Sequence, residues 1–250
     1  MNQLDNTPIT PSSSGSGTSG VAGWVAIWIK ALTKPSEQTF IDITESPNAN
    51  AKTAYIWVFI AGTLGGIIQA FASAIRMATG VASQFSQIPG LEKYFPHTAG
   101  GGGGSFVFSL FAGICAAPFA GLLSVVFFAL FIAIIQWIAK LFGGTGTYEK
   151  LLYAFAAITV PFTVISSVFA LLSVIPLVGI CIGVISFGVS IYALVLEIMA
   201  LKAVNRFGWG QAAGSLFLPG CAVFIVCACI VGGSLALLGP AIGNVFKGIR

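Results

Sequence analysis

Seven carboxylates, one histidine and five cysteines are all that this chain of 250 residues offers to acid–base, nucleophilic or metal chemistry. His97 stands in Phe95-Pro96-His97-Thr98, just ahead of Gly100 to Gly104, with no second His or Cys close by in sequence. A metal site needs three or four ligands converging on one point, so this histidine reads as a solvated loop residue. Cys115, Cys181, Cys221, Cys227 and Cys229 all fall in apolar segments. On a helix Cys227 and Cys229 point about 200° apart, which keeps both from facing one metal and leaves small apolar packing as their role. The chain contains no H-E-x-x-H, G-x-S-x-G or G-x-x-x-x-G-K-[ST], which removes the main support for metalloprotease, esterase or nucleotidase chemistry. No catalytic residue, cofactor or metal site is expected, and the protein is read as no enzyme.

Two features keep a chemical reading open. Gly143-Gly144-Thr145-Gly146-Thr147 has the glycine density of a phosphate cradle, where backbone N–H groups converge on an anion. No lysine follows at P-loop spacing, and the stretch joins two apolar segments, so it reads as a flexible connector whose Thr147 caps the next helix. A lipid phosphate held by Thr147 and Lys150 is the lesser alternative. Glu197 lies inside a long apolar run, where a central acid costs roughly 2.5 to 3.5 kcal/mol on insertion scales. Lys202 follows five positions later, so Glu197 is expected near the interface, paired with Lys202, Arg206 or Lys150. Gln69 and Gln136 are the other strongly polar side chains in the apolar runs.

The elements that must position these residues follow from composition. Charged residues make up 7% of the chain and hydrophobic ones 57%, with a mean hydropathy of +0.98. Soluble proteins carry roughly 25% charge, so the chain is read as an all-α polytopic membrane protein. The formal net charge of +4 is spread over 11 cations and makes no nucleic-acid footprint. Residues 1–20, rich in Ser, Gly and Thr, are expected to be a disordered tail. Residues 21–54 form a pre-membrane segment in which Val21 to Leu32 is too short to span. Trp24, Trp28 and Leu32 at four-residue spacing make it an interfacial helix. Residues 55–240 hold five spans, at about 55–75, 119–139, 151–173, 177–201 and 216–238, and a short tail covers 241–250. Pro118 is expected to divide the uncharged run Phe106 to Ala139 into a shallow or re-entrant lead-in and a span. Pro161 is expected to kink the third span, and the short Pro176 turn makes the third and fourth a tight hairpin.

Five spans place the termini on opposite sides. One side collects Lys30, Lys34, Lys52, Lys140, Lys150, Lys202 and Arg206; the other has Arg76, Lys93, Lys247 and Arg250. The excess points to a cytoplasmic N-terminus in the cell membrane, with the C-terminus on the opposite side. Small residues recur at helix-packing spacing, as Gly62 and Gly66, as Gly113, Ala117 and Gly121, as Gly179 and Gly183, and as Gly210 and Gly214. Close backbone approach of this kind serves packing within one chain or between two.

Two stretches resemble the Yip domain family, multi-pass proteins named for interacting with Ypt/Rab GTPases and including many prokaryotic members. The first runs from Trp28 through Lys34-Pro35-Ser36-Glu37-Gln38-Thr39-Phe40 to Ile43-Thr44-Glu45-Ser46-Pro47-Asn48. The second is Gly143-Gly144-Thr145-Gly146-Thr147-Tyr148 with Tyr153, Ala154 and Pro161 beyond it. The resemblance covers about residues 24–240. It implies a cytoplasmic N-terminal region, five spans, self-association or partner binding, and in eukaryotes a part in vesicle traffic. Read from the residues, Thr33 or Ser36 caps a helix, Pro35 is acceptable in its first turn, Glu37 favours the positive dipole end, and Phe40 with Ile43 makes an apolar face.

The leading expectation is therefore a non-enzymatic membrane scaffold or adaptor. It would touch membrane lipids and bind an unidentified membrane or cytoplasmic protein partner, or form a homo-oligomer, without nucleic acid. Its expected contact and packing residues are Trp24, Trp28, Pro35, Phe40, Gly62, Gly66, Gly143, Gly144, Pro161 and Glu197. The alternative is a small transporter or channel organised around Glu197, Gln69 and the Pro118 and Pro161 breaks.

Overall fold

The computed structural model describes residues 20–78, 103–221, 225 and 227–229. The expected tails (apart from Gly20), the His97 loop with Lys93, and most of the fifth span lie outside the described residues. Within them the chain forms helices α1 (Val21–Thr33), α2 (Glu37–Thr44), α3 (Ala51–Ala78), α4 (Gly103–Leu141), α5 (Tyr148–Leu172) and α6 (Pro176–Asn205). A further helical stretch occupies 209–221. Helices α3 to α6 are each long and apolar enough to cross a membrane, giving an all-α, multi-pass architecture with a shorter apolar helix, α1, ahead of it.

The principal departure from expectation is α4. Pro118 lies inside a single helix of 39 residues and does not divide it. At 1.5 Å per residue this helix is about 58 Å long, close to twice a hydrocarbon core. Pro118 carries no N–H and frees one carbonyl a turn earlier, yet Gly113 and Ala117 before it and Gly121 after it pack against α3. Packing of both halves on the same neighbour lets the helix continue through the proline, which is how spanning helices tolerate one.

The seam between α3 and α4 is antiparallel and lined by small residues. A Cβ on Gly66 would stand 3.3 Å from the Cα of Ala117, one on Gly113 would stand 3.3 Å from the Cα of Ala70, and one on Gly121 would meet Thr63 and Phe59. Gly62 lies opposite Gly121, with Ser124 beside it. The two small-residue series therefore pack on each other within one chain, where backbone approach supplies the dispersion contact that lipid does not drive. Gly65 repeats the device toward α5, where a Cβ would come within 3.1 Å of Ser167 Oγ.

Helix α5 is the central rod: Leu151 to Ile158 and Val160 are all buried. Pro161 lies inside this helix. Three residues separate α5 from α6, so the two run antiparallel as the Pro176 turn requires. Toward the outside, Phe108, Phe111 and Phe119 of α4 and Ile180, Val184 and Phe187 of α6 are exposed, as lipid-facing positions are.

Candidate functional site

The pre-membrane segment and the ends of α3 to α6 meet at one end of the molecule, and local sequence explains each piece. Ser36 caps α2, its hydroxyl accepting from Thr39 N at 3.0 Å. Pro35 therefore stands ahead of the cap, not in the first turn of the helix. Asn50 Oδ1 accepts from Thr53 N at 2.8 Å at the start of α3, and Thr147 Oγ1 accepts from Lys150 N at 3.4 Å at the start of α5. Phe40 is fully buried and Ile43 nearly so, which presses α2 onto the bundle.

An aromatic cluster joins α1 to the spans. Trp57 of α3 is 6.0 Å from Trp24 and 5.5 Å from Trp28, both edge-on, and 4.9 Å from Tyr153 of α5. Edge-on rings at such distances add about 0.5–1.5 kcal/mol to the area they bury. Trp24 and Trp28, whose spacing marked α1 as an interfacial helix, pack inward on the spans. The exposed stripe of α1 is Val21, Val25 and Ile29, again at four-residue spacing. Tyr192 of α6 donates to the Leu32 carbonyl at 2.6 Å and fastens the end of α1.

The charged groups of this end form an ion clasp. Glu45 lies 3.8 Å from both Lys150 of α5 and Arg206 at the end of α6, and Glu37 pairs with Lys202 of α6. Lys202 Nζ also lies 4.7 Å from the centroid of the Trp209 ring. Asp42 accepts from Gln38 at 2.9 Å and from Lys30 at 3.2 Å. The Gln38 amide, then the Lys30 ammonium, hold its carboxyl below the usual carboxylate range. Glu197 thus finds none of the partners expected for it: Lys202 is taken by Glu37, and Lys150 and Arg206 face Glu45. Among the described residues it has no ion pair or hydrogen bond. It lines a cavity with Gln69, Thr163 and Ser167.

The glycine turn is clamped, in contrast to the flexible connector expected of it. Gly143 takes the left-handed conformation, with φ of +85°. A Cβ on Gly144 would come within 2.7 Å of Asn205 Oδ1 and 2.9 Å of the Ala139 carbonyl, and one on Gly146 within 2.7 Å of the Val204 carbonyl. Gln136 Nε2 donates to the Gly146 carbonyl at 2.7 Å, and Thr145 N donates to the Asn205 carbonyl at 3.2 Å. No backbone N–H array is left open toward a phosphate by this arrangement, because the turn faces α6.

Of the expected residues, the structure brings Trp24, Trp28, Pro35 and Phe40 together in the pre-membrane assembly and places Gly143 and Gly144 beneath it. Gly62 and Gly66 lie in the α3–α4 seam, and Pro161 and Glu197 lie deeper in the bundle. Sequence reasoning did not find Trp57 and Asn205, and it named Tyr153 only within the stretch that resembles the family, without a role. The only signal for Asn205 was an amide closing a long apolar run next to Arg206. Trp57 carries none, since nothing in its spacing separates it from other ring residues in spans.

The family model described as Yip1 domain matches residues 29–231. That range runs from the middle of α1, through the clasp and the glycine turn, past the end of the described helix 209–221. No curated protein and no solved structure matches the chain.

Proposed function

Because the chain belongs to the Yip1 domain family, we propose that this membrane protein works as a non-enzymatic scaffold or adaptor, binding a protein partner or a second copy of itself through its pre-membrane face. The observation that carries this reading is the ion clasp. Glu37 and Glu45, from opposite ends of α2, hold that short helix against α5 and α6, while Phe40 anchors it from beneath. A surface already ordered by the membrane domain binds without the cost of ordering a loose segment. Lys34, Gln38 and Asp42 remain exposed on it. The Val21, Val25 and Ile29 stripe supports α1 lying in the interface against lipid. Seven cations at this end favour a cytoplasmic N-terminus in the cell membrane, the C-terminus lying opposite.

The test is crosslinking in intact membranes from Gln38→Cys carrying a photoactivatable group. The expected result is one adduct of defined mass, a homodimer or a single partner, that is lost when Glu45→Lys opens the clasp. A second reading, a small transporter or channel, draws on Glu197 and Gln69 lining one cavity. Solute flux into liposomes that Glu197→Gln abolishes would overturn the adaptor reading in its favour.

A further inference from the structure

The Glu197 cavity has a volume of about 350 Å³ and lies between α3, α5 and α6. Its polar lining is Gln69, Thr159, Thr163, Ser166, Ser167 and Glu197, a dense set for an open recess among apolar helices. Thr163 Oγ1 donates to the Thr159 carbonyl and Ser167 Oγ to the Thr163 carbonyl, each at 2.8 Å. Both hydroxyl hydrogens are thereby engaged by their own helix, and both oxygens keep lone pairs to offer. The Glu197 carboxyl group lines the same cavity from α6 and adds a third oxygen acceptor. An acid among apolar helices is costly unless a counter-charge meets it, and among the described residues the cations expected to meet it, Lys150, Lys202 and Arg206, pair with Glu37 and Glu45 instead.

The volume separates two kinds of cation. A water occupies about 30 Å³, so the space equals about twelve waters and is far larger than a bare ion. It suits an organic group that fills the cavity and donates several hydrogen bonds. Glu197 is five residues before Lys202, about 7.5 Å along α6, a depth that a head group reaches from the interface. Gln69 and Ser166 are exposed at the edge of the cavity, which leaves a lateral way in. We infer that this cavity binds a primary ammonium group, held by Glu197, Thr163 Oγ1 and Ser167 Oγ. Two sources carry that chemistry, an ethanolamine lipid head group and a small free amine. The inference does not depend on the adaptor reading.

Native mass spectrometry of the full-length chain in detergent tests it with phosphatidylethanolamine, phosphatidylcholine and phosphatidylglycerol of the same acyl chains. Ethylamine is the free-amine probe, read by the thermal midpoint. The lipid source predicts retention of phosphatidylethanolamine about tenfold over the other two, as a charge-assisted hydrogen bond is worth. Glu197→Gln removes that preference and leaves phosphatidylglycerol retention unchanged. The free-amine source predicts a raised midpoint with ethylamine, absent in Glu197→Gln, and no lipid preference. Thr163→Val with Ser167→Ala lowers either response by about threefold, and it carries the test if Glu197→Gln fails to fold. Equal retention of all three lipids together with no ethylamine response overturns the inference. So does a preference or a midpoint shift that survives these substitutions.

Discussion

The side-chain amides of Gln136 and Asn205 pair reciprocally across α4 and α6, Gln136 Nε2 donating to Asn205 Oδ1 at 3.1 Å and Asn205 Nδ2 to Gln136 Oε1 at 3.3 Å. Both side chains are buried. Gln136 also reaches the Gly146 carbonyl and Asn205 the Leu201 carbonyl at 3.3 Å. The pair ties the ends of two spans to the turn that leads into a third.

Removing one member strands the other. Asn205→Ala is expected to cost about 1–3 kcal/mol, the price of an unsatisfied buried amide, and Gln136→Leu a similar amount. The double substitution Gln136→Leu with Asn205→Leu should cost less than the sum, since neither amide is then orphaned. Thermal midpoints of the four proteins in detergent give the coupling directly; strict additivity would show that the pair does not act as a unit.

The glycine turn should discriminate among its own members. Gly144→Ala and Gly146→Ala each drive a methyl into Asn205 or the Val204 backbone, an overpacking worth about 1–3 kcal/mol. Gly143→Ala meets no atom but must hold a left-handed φ, at about 1–2 kcal/mol. Gly183→Ala in α6, with open space around it, should be neutral or slightly stabilising. Comparing folded yield and midpoint across the four separates steric from conformational cost.

In the α3–α4 seam, Gly66→Leu and Gly113→Leu force apart backbones that now approach to van der Waals contact. Each should lower stability by about 1–3 kcal/mol, read as earlier loss of helical signal in a denaturing-detergent titration. Substituting a lipid-facing residue such as Phe119→Leu, exposed on the same helix, should leave the titration almost unmoved.

The clasp should respond to salt and acid. Its four side-chain pairs are largely solvent-facing, so Glu45→Gln should cost about 0–1 kcal/mol and less at high ionic strength. Its clearer signature is chymotrypsin cleavage after Phe40, which is fully buried while α2 is docked and should be cut faster as α2 loosens. Asp42 adds a pH dependence. The Gln38 amide and the Lys30 ammonium hold its folded pKa below the ordinary carboxylate value, so its contribution is present above the unfolded pKa and is lost as pH falls through the lowered one. Docking of α1 to α2 should therefore weaken only below about pH 4, and Asp42→Asn should remove that acid response. Pepsin works in this acid range, and pepsin cleavage at Phe40 with the same pH profile in the parent protein and in Asp42→Asn would count against this anchoring.

What the sequence determined by itself was whatever depends on solvent and on neighbours in the chain. Scarce charge and long apolar runs dictate spanning helices wherever they pack, which is why α3, α5 and α6 stand within a few residues of expectation. Thr147 caps α5 for the same local reason. The small-residue series on α3 and α4 were legible as packing faces, because a missing side chain is visible in one dimension. Only the tertiary structure decided which surfaces meet. Pro118 removes a single hydrogen bond, and whether that breaks a helix depends on α3 holding both halves, a fact of another segment. Glu37 and Glu45 are ordinary pre-membrane acids until α5 and α6 bring Lys150, Lys202 and Arg206 beside them, and it is this that leaves Glu197 to its cavity. Trp24 and Trp28 face Trp57 and not lipid because a ring finds more contact among other rings than at a head group. Each is a choice between partners far apart in sequence, made by shape and charge in three dimensions.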